Sequence, residues 1–253
     1  GRSDRLAIKQ YEQETTLDVS LLVDCSASMS FGTMGIKKGW GGTEASRTTG
    51  SWTKFDHATA TATALAWMSL QQSDRIGLTM FADGIIQKVG LSSNTGQWRR
   101  IVSLLSGQPV DETTDIEKTT EQILSTTTNR SLFIIISDFL QDPGSIRSAM
   151  ARFRHRKHDV ICLQILDRDE MRFEQPDPSM FVGLEGDDRI RIDPPAIRQA
   201  YLDALHAHQN ELNGMLSGFG FDYHTVDSHD SVGPALAYLI ARRTAWSRKH
   251  HAS

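Results

Sequence analysis

The sequence predicts an α/β protein with a mostly parallel central sheet and helices on both of its faces. Two observations lead to this class. Short runs typical of strands alternate with longer runs that favour helices, which is the pattern of strand–helix–strand units. In addition, residues 131–137 (SLFIIIS) and 159–166 (DVICLQIL) are almost continuously apolar, as expected for central strands buried on both faces.

The first part of the chain supplies a strand, a glycine-rich segment and a helix. Leu17–Asp24 (LDVSLLVD) favours a strand and ends in an acid. Residues 32–53 are polar and rich in glycine, which predicts a long flexible loop, and loops of this length are usually functional or disordered. Phe55–Gln71 is rich in Ala and Leu and favours a helix, although its alternating Ala and Thr (ATATATA) also fit a strand.

The rest of the chain continues the alternation. Ile76–Phe81 and Ile85–Val89 are predicted to form a pair of strands that turns at Asp83-Gly84, a dipeptide typical of hairpins. The later elements are, in chain order, helices over Thr95–Leu105 and Asp115–Thr126, the buried strand at 131–137, a helix over Pro143–Arg154 with Pro143 in its first turn, the buried strand at 159–166, a helix from Pro194-Pro195 to about Leu216, a strand over Phe221–Val226 and a helix over Ser231–Arg243.

Residues 171–193 interrupt this rhythm. Gly183 and Gly186 lie there between two apolar arms, which suggests a hairpin that leaves the main sheet. We therefore predict one domain over residues 1–253, elaborated by the loop at 32–53 and by this hairpin.

Composition and charge argue against several classes of protein. A net charge of −4 and a pI near 6.1 exclude a general binder of nucleic acids or other polyanions. Two cysteines, Cys25 and Cys162, cannot form a disulfide framework or a four-cysteine zinc site, and both are predicted to be inert core residues. The longest clean apolar run, Leu132–Ile136, is far too short to span a membrane, so we expect no membrane insertion and a cytoplasmic location.

Most sequence signatures of enzymes are absent. The chain has no Gly-Lys-Ser/Thr of a phosphate-binding loop, no Gly-x-Ser-x-Gly nucleophile elbow and no His-Glu-x-x-His zinc helix. Histidines such as His206 and His224 are interpreted as surface or structural residues. No catalytic residue is assigned.

Oxygen-bearing side chains follow two strands that are predicted to be central. Asp24, Ser26 and Ser28 come directly after the first strand, and Asp138 follows the buried strand at 131–137. The carboxyl ends of parallel strands meet at one sheet edge, where α/β folds bind ligands. Two carboxylates facing each other there repel unless a cation or a proton lies between them. Mg²⁺ prefers six oxygen ligands, several of them usually water, so this set predicts a magnesium site.

Thr114 is the candidate for one further hydroxyl ligand. It lies in Thr113-Thr114-Asp115, just before a predicted helix. Each of these residues also has a simpler interpretation that needs no metal. Thr114 and Glu117 fit a Thr-x-x-Glu capping box, and serines at a strand end are common in turns. The metal interpretation is favoured because all five residues occur in the right order on the right edge.

The five positions resemble the metal-ion-dependent adhesion site of von Willebrand factor A domains. Asp24-x-Ser26-x-Ser28, a downstream Thr114 and a later Asp138 match its pattern. The chain is most similar to one bacterial branch, the family called domain of unknown function 58. The segments that carry this resemblance are Lys9–Thr15 (KQYEQET), Leu22–Met29 (LVDCSASM), Lys54–Asp56 (KFD), Ser73–Leu78 (SDRIGL), Ser137–Phe139 (SDF), Arg156–Val160 (RKHDV), Ile192–Pro194 (IDP) and Ala237–Arg243 (AYLIARR).

The resemblance implies a Rossmann-like von Willebrand factor A fold that holds one Mg²⁺ or Mn²⁺ ion. It also implies a role as an adaptor for a MoxR-type AAA+ ATPase or a client protein, bound through an acidic residue of the partner. The sequence departs from the family in two places. An upstream segment of the family is expected to be missing before Gly1, and the loop at 32–53 is longer than usual. Two interpretations of this loop stay open, a shield or partner surface at the site and a disordered insertion without a role.

Two alternatives to the adaptor stay open. A Mg²⁺-dependent hydrolase would use the same oxygens on a Rossmann-like sheet. Against it, Ser26 occupies the place of the second acid in an Asp-x-Asp phosphatase pattern, and the sequence offers no evident base or phosphate-binding Lys. The other alternative is a scaffold that holds no metal.

Overall fold

A computed structural model describes residues 16–36, 41–173, 179–182, 189–192 and 194–251. The strands among them are β1 (Asp18–Asp24), β2 (Met34–Gly35), β3 (Ser51–Trp52), β4 (Arg75–Ala82), β5 (Gly84–Ser92), β6 (Leu132–Ser137), β7 (Asp159–Leu166), β8 (Ser179–Val182), β9 (Arg189–Ile192) and β10 (Asp222–Asp227). The helices are α1 (Glu44–Thr49), α2 (Lys54–Gln71), α3 (Gly96–Ser106), α4 (Ile116–Thr126), α5 (Pro143–His155), α6 (Arg168–Arg172), α7 (Pro194–Phe219) and α8 (Gly233–His251), with a short 3₁₀ helix at Ala27–Ser30.

Within the described residues, six strands form one central sheet in the order β10-β7-β6-β1-β4-β5. All neighbours are parallel except β4 and β5, which form the hairpin predicted at Asp83-Gly84. Gly84 has a φ of +95°, a backbone conformation that glycine adopts without steric cost. The predicted α/β class with a mostly parallel sheet is confirmed.

The central strands alternate their side chains between two cores, one on each face of the sheet. Leu21 and Val23 of β1 belong to the core covered by α2, α3 and α8, and Leu22 belongs to the core covered by α4, α5 and α7. On β6, Phe133 and Ile135 likewise join the second core. Burial on both faces is the physical reason for the continuous apolar run that predicted this strand.

Helix α2 begins with a reciprocal cap. Thr53 Oγ1 accepts a hydrogen bond from the Asp56 N–H at 3.1 Å, and the Asp56 carboxylate accepts one from the Thr53 N–H at 2.9 Å. Inside the helix, Phe55, Ala58 and Ala62 are fully buried against the sheet. The helix is therefore the correct interpretation of the Ala/Thr alternation, and the strand alternative is wrong.

The long flexible loop predicted at residues 32–53 is wrong for the part that the structure describes. Met34 of β2 pairs antiparallel with Trp52 of β3, and helix α1 lies between these strands along the chain. Residues 37–40 of this loop lie outside the described residues. The high glycine content suggested flexibility, but hydrogen bonds to distant residues hold the described part of this segment in place.

In the region 171–193, β8 pairs antiparallel with β9, with Phe181 opposite Ile190. Helix α6 precedes this region and has no counterpart in the sequence prediction. Several residues singled out in the sequence lie outside the described residues, namely Lys9–Thr15, Gly183, Gly186 and Asp193.

Both cysteines are core residues, as predicted. Cys25 and Cys162 are free and fully buried. Burial raises the pKa of each thiol above its ordinary value. Since the thiolate is the reactive form, neither cysteine is positioned for nucleophilic chemistry.

Candidate metal centre

The two candidate acids lie at the carboxyl ends of neighbouring strands. Asp24 is the last residue of β1, and Asp138 follows the last residue of β6. The two strands are parallel, with Val23 opposite Ile136. The prediction that these strands are central is confirmed, the structure shows that they are neighbours, and both carboxylates lie at the same sheet edge.

Asp24 is fully buried and held by hydrogen bonds on both carboxylate oxygens. Oδ1 accepts from the Ser26 N–H at 2.8 Å, and Oδ2 accepts from Ser137 Oγ at 2.6 Å. Burial, and then the negative charge of Asp138, raise the pKa of Asp24 to about 7 against the effect of these hydrogen bonds. Without a compensating cation, ionised Asp24 is therefore destabilised.

Ser26 and Ser28 place their hydroxyl groups side by side beyond the end of β1. Ser26 precedes the 3₁₀ helix at Ala27–Ser30, and Ser26 Oγ lies 3.2 Å from Ser28 Oγ. The turn is anchored by a bond from the Ala27 N–H to the Glu112 carbonyl at 2.7 Å. This bond brings the segment that precedes α4 alongside the candidate site.

Thr114 lies on that segment, but it does not cap helix α4. The capping residue is Asp115, whose side chain accepts a hydrogen bond from the Lys118 N–H at 2.9 Å, so the predicted Thr114–Glu117 capping box is wrong. The Asp115 N–H in turn donates to the Ala82 carbonyl at 2.9 Å. The backbone on either side of Thr114 is thus tied to the turn after β1 and to the end of β4, while none of the described hydrogen bonds joins the Thr114 hydroxyl to the other four side chains.

Asp138 is paired with a lysine that is not among the five residues predicted for the site. Lys54 is fully buried, and its Nζ donates to Asp138 Oδ2 at 2.8 Å and to Glu170 Oε1 at 2.7 Å. Burial by itself raises the pKa of a carboxyl group, but the Lys54 ammonium holds the pKa of Asp138 below its usual range. Burial of Lys54 acts to lower its own pKa, yet the two carboxylates raise that pKa above its ordinary value.

The signal that could have found Lys54 is its position in the tripeptide Lys54-Phe55-Asp56. These three residues open α2 and act separately. Lys54 pairs with Asp138, and Phe55 fills the core. Asp56 accepts hydrogen bonds at Oδ1 from the Thr43 N–H (2.7 Å) and from Ser46 Oγ (2.8 Å), which fastens the start of α1 to α2.

A second buried acid fastens the other end of the loop at residues 32–53. Asp167 accepts hydrogen bonds from Thr33 Oγ1 at 2.6 Å and from Ser228 Oγ at 3.0 Å, and its carboxylate also contacts His229 Nε2 at 3.1 Å. Asp167 and Ser228 follow β7 and β10, so they lie at the same edge of the sheet. Described parts of the loop are thus fixed beside the candidate site, which contradicts the interpretation as a disordered insertion.

The donor set fits a small divalent cation. Each Asp24 oxygen accepts one hydrogen bond and keeps a lone pair. Adjacent ligands around Mg²⁺, at about 2.1 Å from the metal, lie about 3 Å apart, which is close to the separation of Ser26 Oγ and Ser28 Oγ. Asp138 Oδ2 is engaged with Lys54, so this acid suits a contact through water. Among the described residues, no three or more His, Cys, Asp or Glu side chains come together in a group that could hold a metal, so an ion here would depend on the hydroxyl ligands as well as on the two acids.

Comparisons with known proteins match both the sequence and the fold. The model of a family described as protein of unknown function DUF58 matches residues 1–211. Similar curated proteins include the uncharacterized proteins Rv1480 of Mycobacterium tuberculosis and Mb1516 of Mycobacterium bovis. Each is 23% identical over 253 residues, and the match covers 96% of this chain and 73% of the relative.

Two solved structures share the architecture. The conserved hypothetical protein BatB from Bacteroides thetaiotaomicron superposes with a TM-score of 0.55 at 13% identity, covering 90% of this chain and 99% of that chain. An aerotolerance-related membrane protein from Bacteroides fragilis superposes with a TM-score of 0.54 at 14% identity, covering 90% and 100%. Among the helices described for this chain, none is long and apolar enough to cross a membrane.

These likenesses concern the fold alone. Together with the observed strand order, they confirm the predicted Rossmann-like α/β fold with a mostly parallel central sheet. The candidate site lies at the carboxyl edge of its central strands.

Proposed function

Because this chain belongs to the DUF58 family, we propose that it is a metal-dependent protein-interaction module. In this proposal Asp24, Ser26 and Ser28 bind one Mg²⁺ or Mn²⁺ ion directly. Thr114 supplies a further hydroxyl, and Asp138 acts through a water molecule. The module serves as an adaptor for a MoxR-type AAA+ ATPase in the assembly or maturation of a client protein.

The observation that carries the proposal is the placement of Asp24 beside Asp138 at one buried sheet edge. The charge of Asp138 is one of the two causes that raise the pKa of Asp24 to about 7. A divalent cation between two such carboxylates would remove this repulsion. The two hydroxyl groups that follow Asp24 then provide neutral ligands at a spacing that suits Mg²⁺.

The chemistry expected at the site is binding of a carboxylate. A bound divalent ion supplies an electrophilic position that accepts an oxygen ligand. Ser26 and Ser28 are neutral donors, so they leave more of the positive charge available than carboxylate ligands would. Asp24 attaches the site to the end of β1. The buried ion pair with Lys54 holds Asp138 in place on the other side of the site. An acidic side chain of the partner is therefore the ligand that we propose to complete the site.

The partner and the location are parts of the same proposal. The MoxR-type ATPase follows from the family resemblance in the sequence. We assign the adaptor to the cytoplasm, where such an ATPase would act on it. A complex that forms with a MoxR-type ATPase in Mg²⁺, and dissociates in EDTA, is the expected result of gel filtration of the mixed proteins. A complex that is equally stable in EDTA would contradict the metal-dependent mechanism.

Calorimetric titration with Mg²⁺ and Mn²⁺ tests the site directly. We expect the wild type to bind one ion and Asp24→Ala to bind none. Asp83→Ala is the matched control, because Asp83 is an exposed acid at the turn between β4 and β5. That variant should bind as the wild type does. Absence of binding by the wild type up to about 10 mM metal would overturn the proposal.

An assay of phosphoester hydrolysis in Mg²⁺ separates the adaptor from the hydrolase. We expect no turnover of a generic aryl phosphate by the wild type. Turnover that disappears in Asp24→Ala would instead assign the same oxygens to catalysis. The Asp83→Ala variant again controls for loss of a surface charge.

A further inference from the structure

A lysine ammonium lies at the wall of the candidate metal site. Lys54 Nζ is 2.8 Å from Asp138 Oδ2 and 2.7 Å from Glu170 Oε1, and the lysine has no exposed surface. Surface lysines in ion pairs move freely and contribute little. A fully buried ammonium with two carboxylate partners is instead a fixed positive charge, placed where the site would receive a cation.

The backbone around Lys54 leaves it little freedom to move away. Its N–H donates to the Phe31 carbonyl at 2.8 Å, so its position is tied to the turn that carries Ser28. On the other side, Glu170 Oε2 accepts a hydrogen bond from the Asp167 N–H at 2.7 Å as part of the cap of α6. Both ends of the ion pair are therefore held by main-chain contacts from different parts of the fold.

We propose that Lys54 is a built-in counter-cation, which holds Asp138 in place when the site lacks a divalent ion and lowers the affinity for that ion. The inference rests on the proposed metal site and deepens it. Lys54 is a positioning residue in this proposal and does not bind the metal. Its positive charge competes with the ion for the negative potential of Asp138.

The magnitude of this competition follows from Coulomb's law. Like charges a few ångströms apart still repel each other appreciably at the effective dielectric constant of a partly buried site. Repulsion between the ammonium and a divalent ion at the same edge therefore lowers the affinity for the ion by tenfold or more. The wild type would then keep its fold without metal and bind the ion weakly enough to release it.

The decisive variant is Lys54→Met, which keeps the length and apolar stem of the side chain but removes its charge. We expect Mn²⁺ and Mg²⁺ to bind at least about tenfold more tightly than to the wild type in calorimetric titrations. The metal-free variant should also melt earlier than the wild type in EDTA, because Asp138 and Glu170 lose their partner. Excess Mn²⁺ should remove much of this difference in melting temperature.

Two further variants separate a local effect from net charge. Glu170→Gln removes the second partner of Lys54, so Lys54 interacts more fully with Asp138, and we expect weaker Mn²⁺ binding. Lys54→Met/Glu170→Gln removes one charge of each sign and leaves the net charge unchanged. It should still bind Mn²⁺ more tightly than the wild type, because the lysine contacts Asp138 and the glutamate does not.

The control for a lost surface lysine is Lys118→Met, since Lys118 is half-exposed and pairs with Asp83. It should bind Mn²⁺ within about twofold of the wild type. If the wild type binds Mn²⁺ and both Lys54 variants bind it with the same or a lower affinity, this inference is overturned. The proposed metal site would still stand. If Lys54→Met does not fold, the double variant gives the deciding result. Absence of binding by the wild type would overturn the proposed metal site and this inference with it. Tighter binding by both Lys54 variants than by a wild type that binds would support the inference.

Discussion

Ser137 Oγ donates a 2.6 Å hydrogen bond to Asp24 Oδ2 and thereby joins the ends of two neighbouring strands. The same hydroxyl accepts a bond from the Phe139 N–H at 3.0 Å. Phe139 has a φ of +50°, a left-handed conformation that is uncommon for a bulky residue. One serine therefore sets the position of Asp24 and fixes the turn that carries Asp138, and the relative placement of the two acids follows from it.

The two acids of the site should affect stability to different extents when metal is absent. We expect Asp24→Asn to be as stable as the wild type in EDTA, because removing its charge relieves the repulsion from Asp138. We expect Asp138→Asn to lose about 2 kcal/mol or more, because it leaves Lys54 with one carboxylate fewer in a buried place. Urea unfolding in EDTA measures both values. Equal losses in the two variants would contradict this description of the site.

Asp56 should control the order of the segment between residues 41 and 53. Its carboxylate accepts hydrogen bonds from the Thr43 N–H, from Ser46 Oγ and from the Thr53 N–H. Asp56→Asn should therefore cost about 2 kcal/mol in unfolding free energy and speed amide exchange in this segment. Glu44→Gln breaks only an exposed ion pair with Arg47 and should change stability by less than about 0.5 kcal/mol. Unchanged exchange in Asp56→Asn would refute the anchoring role.

Gly32 should not tolerate a side chain. A Cβ at this position would lie 2.1 Å from the Trp52 carbonyl oxygen and 2.7 Å from Thr53 Cα, both of them backbone atoms. We expect Gly32→Ala to lower the unfolding free energy by about 1–3 kcal/mol. Gly35→Ala is the control, because a Cβ there meets no atom within 4 Å. Thermal or urea unfolding compares them, and equal stabilities would show that the loop does not pass this close to the start of α2.

His57 should make stability depend on pH between about 7 and 5. Its side chain is buried on α2, and burial lowers its pKa below the usual value. The unfolded chain then binds a proton at a higher pH than the folded chain does, so the unfolding free energy falls as the pH decreases through about 6.5. In His57→Gln the decrease in unfolding free energy on going to pH 5 should be smaller than in the wild type by up to about 2 kcal/mol.

Urea unfolding at several pH values measures this dependence. The difference between the two proteins at pH 8 reports the packing that the substitution disturbs, and the slope below pH 7 reports the proton. A wild-type slope retained in His57→Gln would show that another group is responsible.

Local sequence patterns determined most of the fold. Alternating strand and helix runs predicted the α/β class, and the apolar residues 131–137 predicted a strand buried on both faces. The same patterns placed Asp24 and Asp138 at one sheet edge, because parallel strands all end on the same side. These predictions succeed because the spacing of apolar residues and the alternation of strands with helices can be read from residues that are close in the chain. Tertiary packing does not change either of them.

Tertiary structure alone decided how the site is held together. Lys54 and Asp138 are 84 residues apart, and Lys54 and Glu170 are 116 apart, so no local pattern joins them. Asp115 rather than Thr114 caps α4, and a bond from the Asp115 N–H to Ala82 ties that cap to the sheet. A sequence shows which side chains can carry charge or accept a hydrogen bond. Their partners are fixed only when packing excludes water and leaves each buried polar group with the neighbours it has.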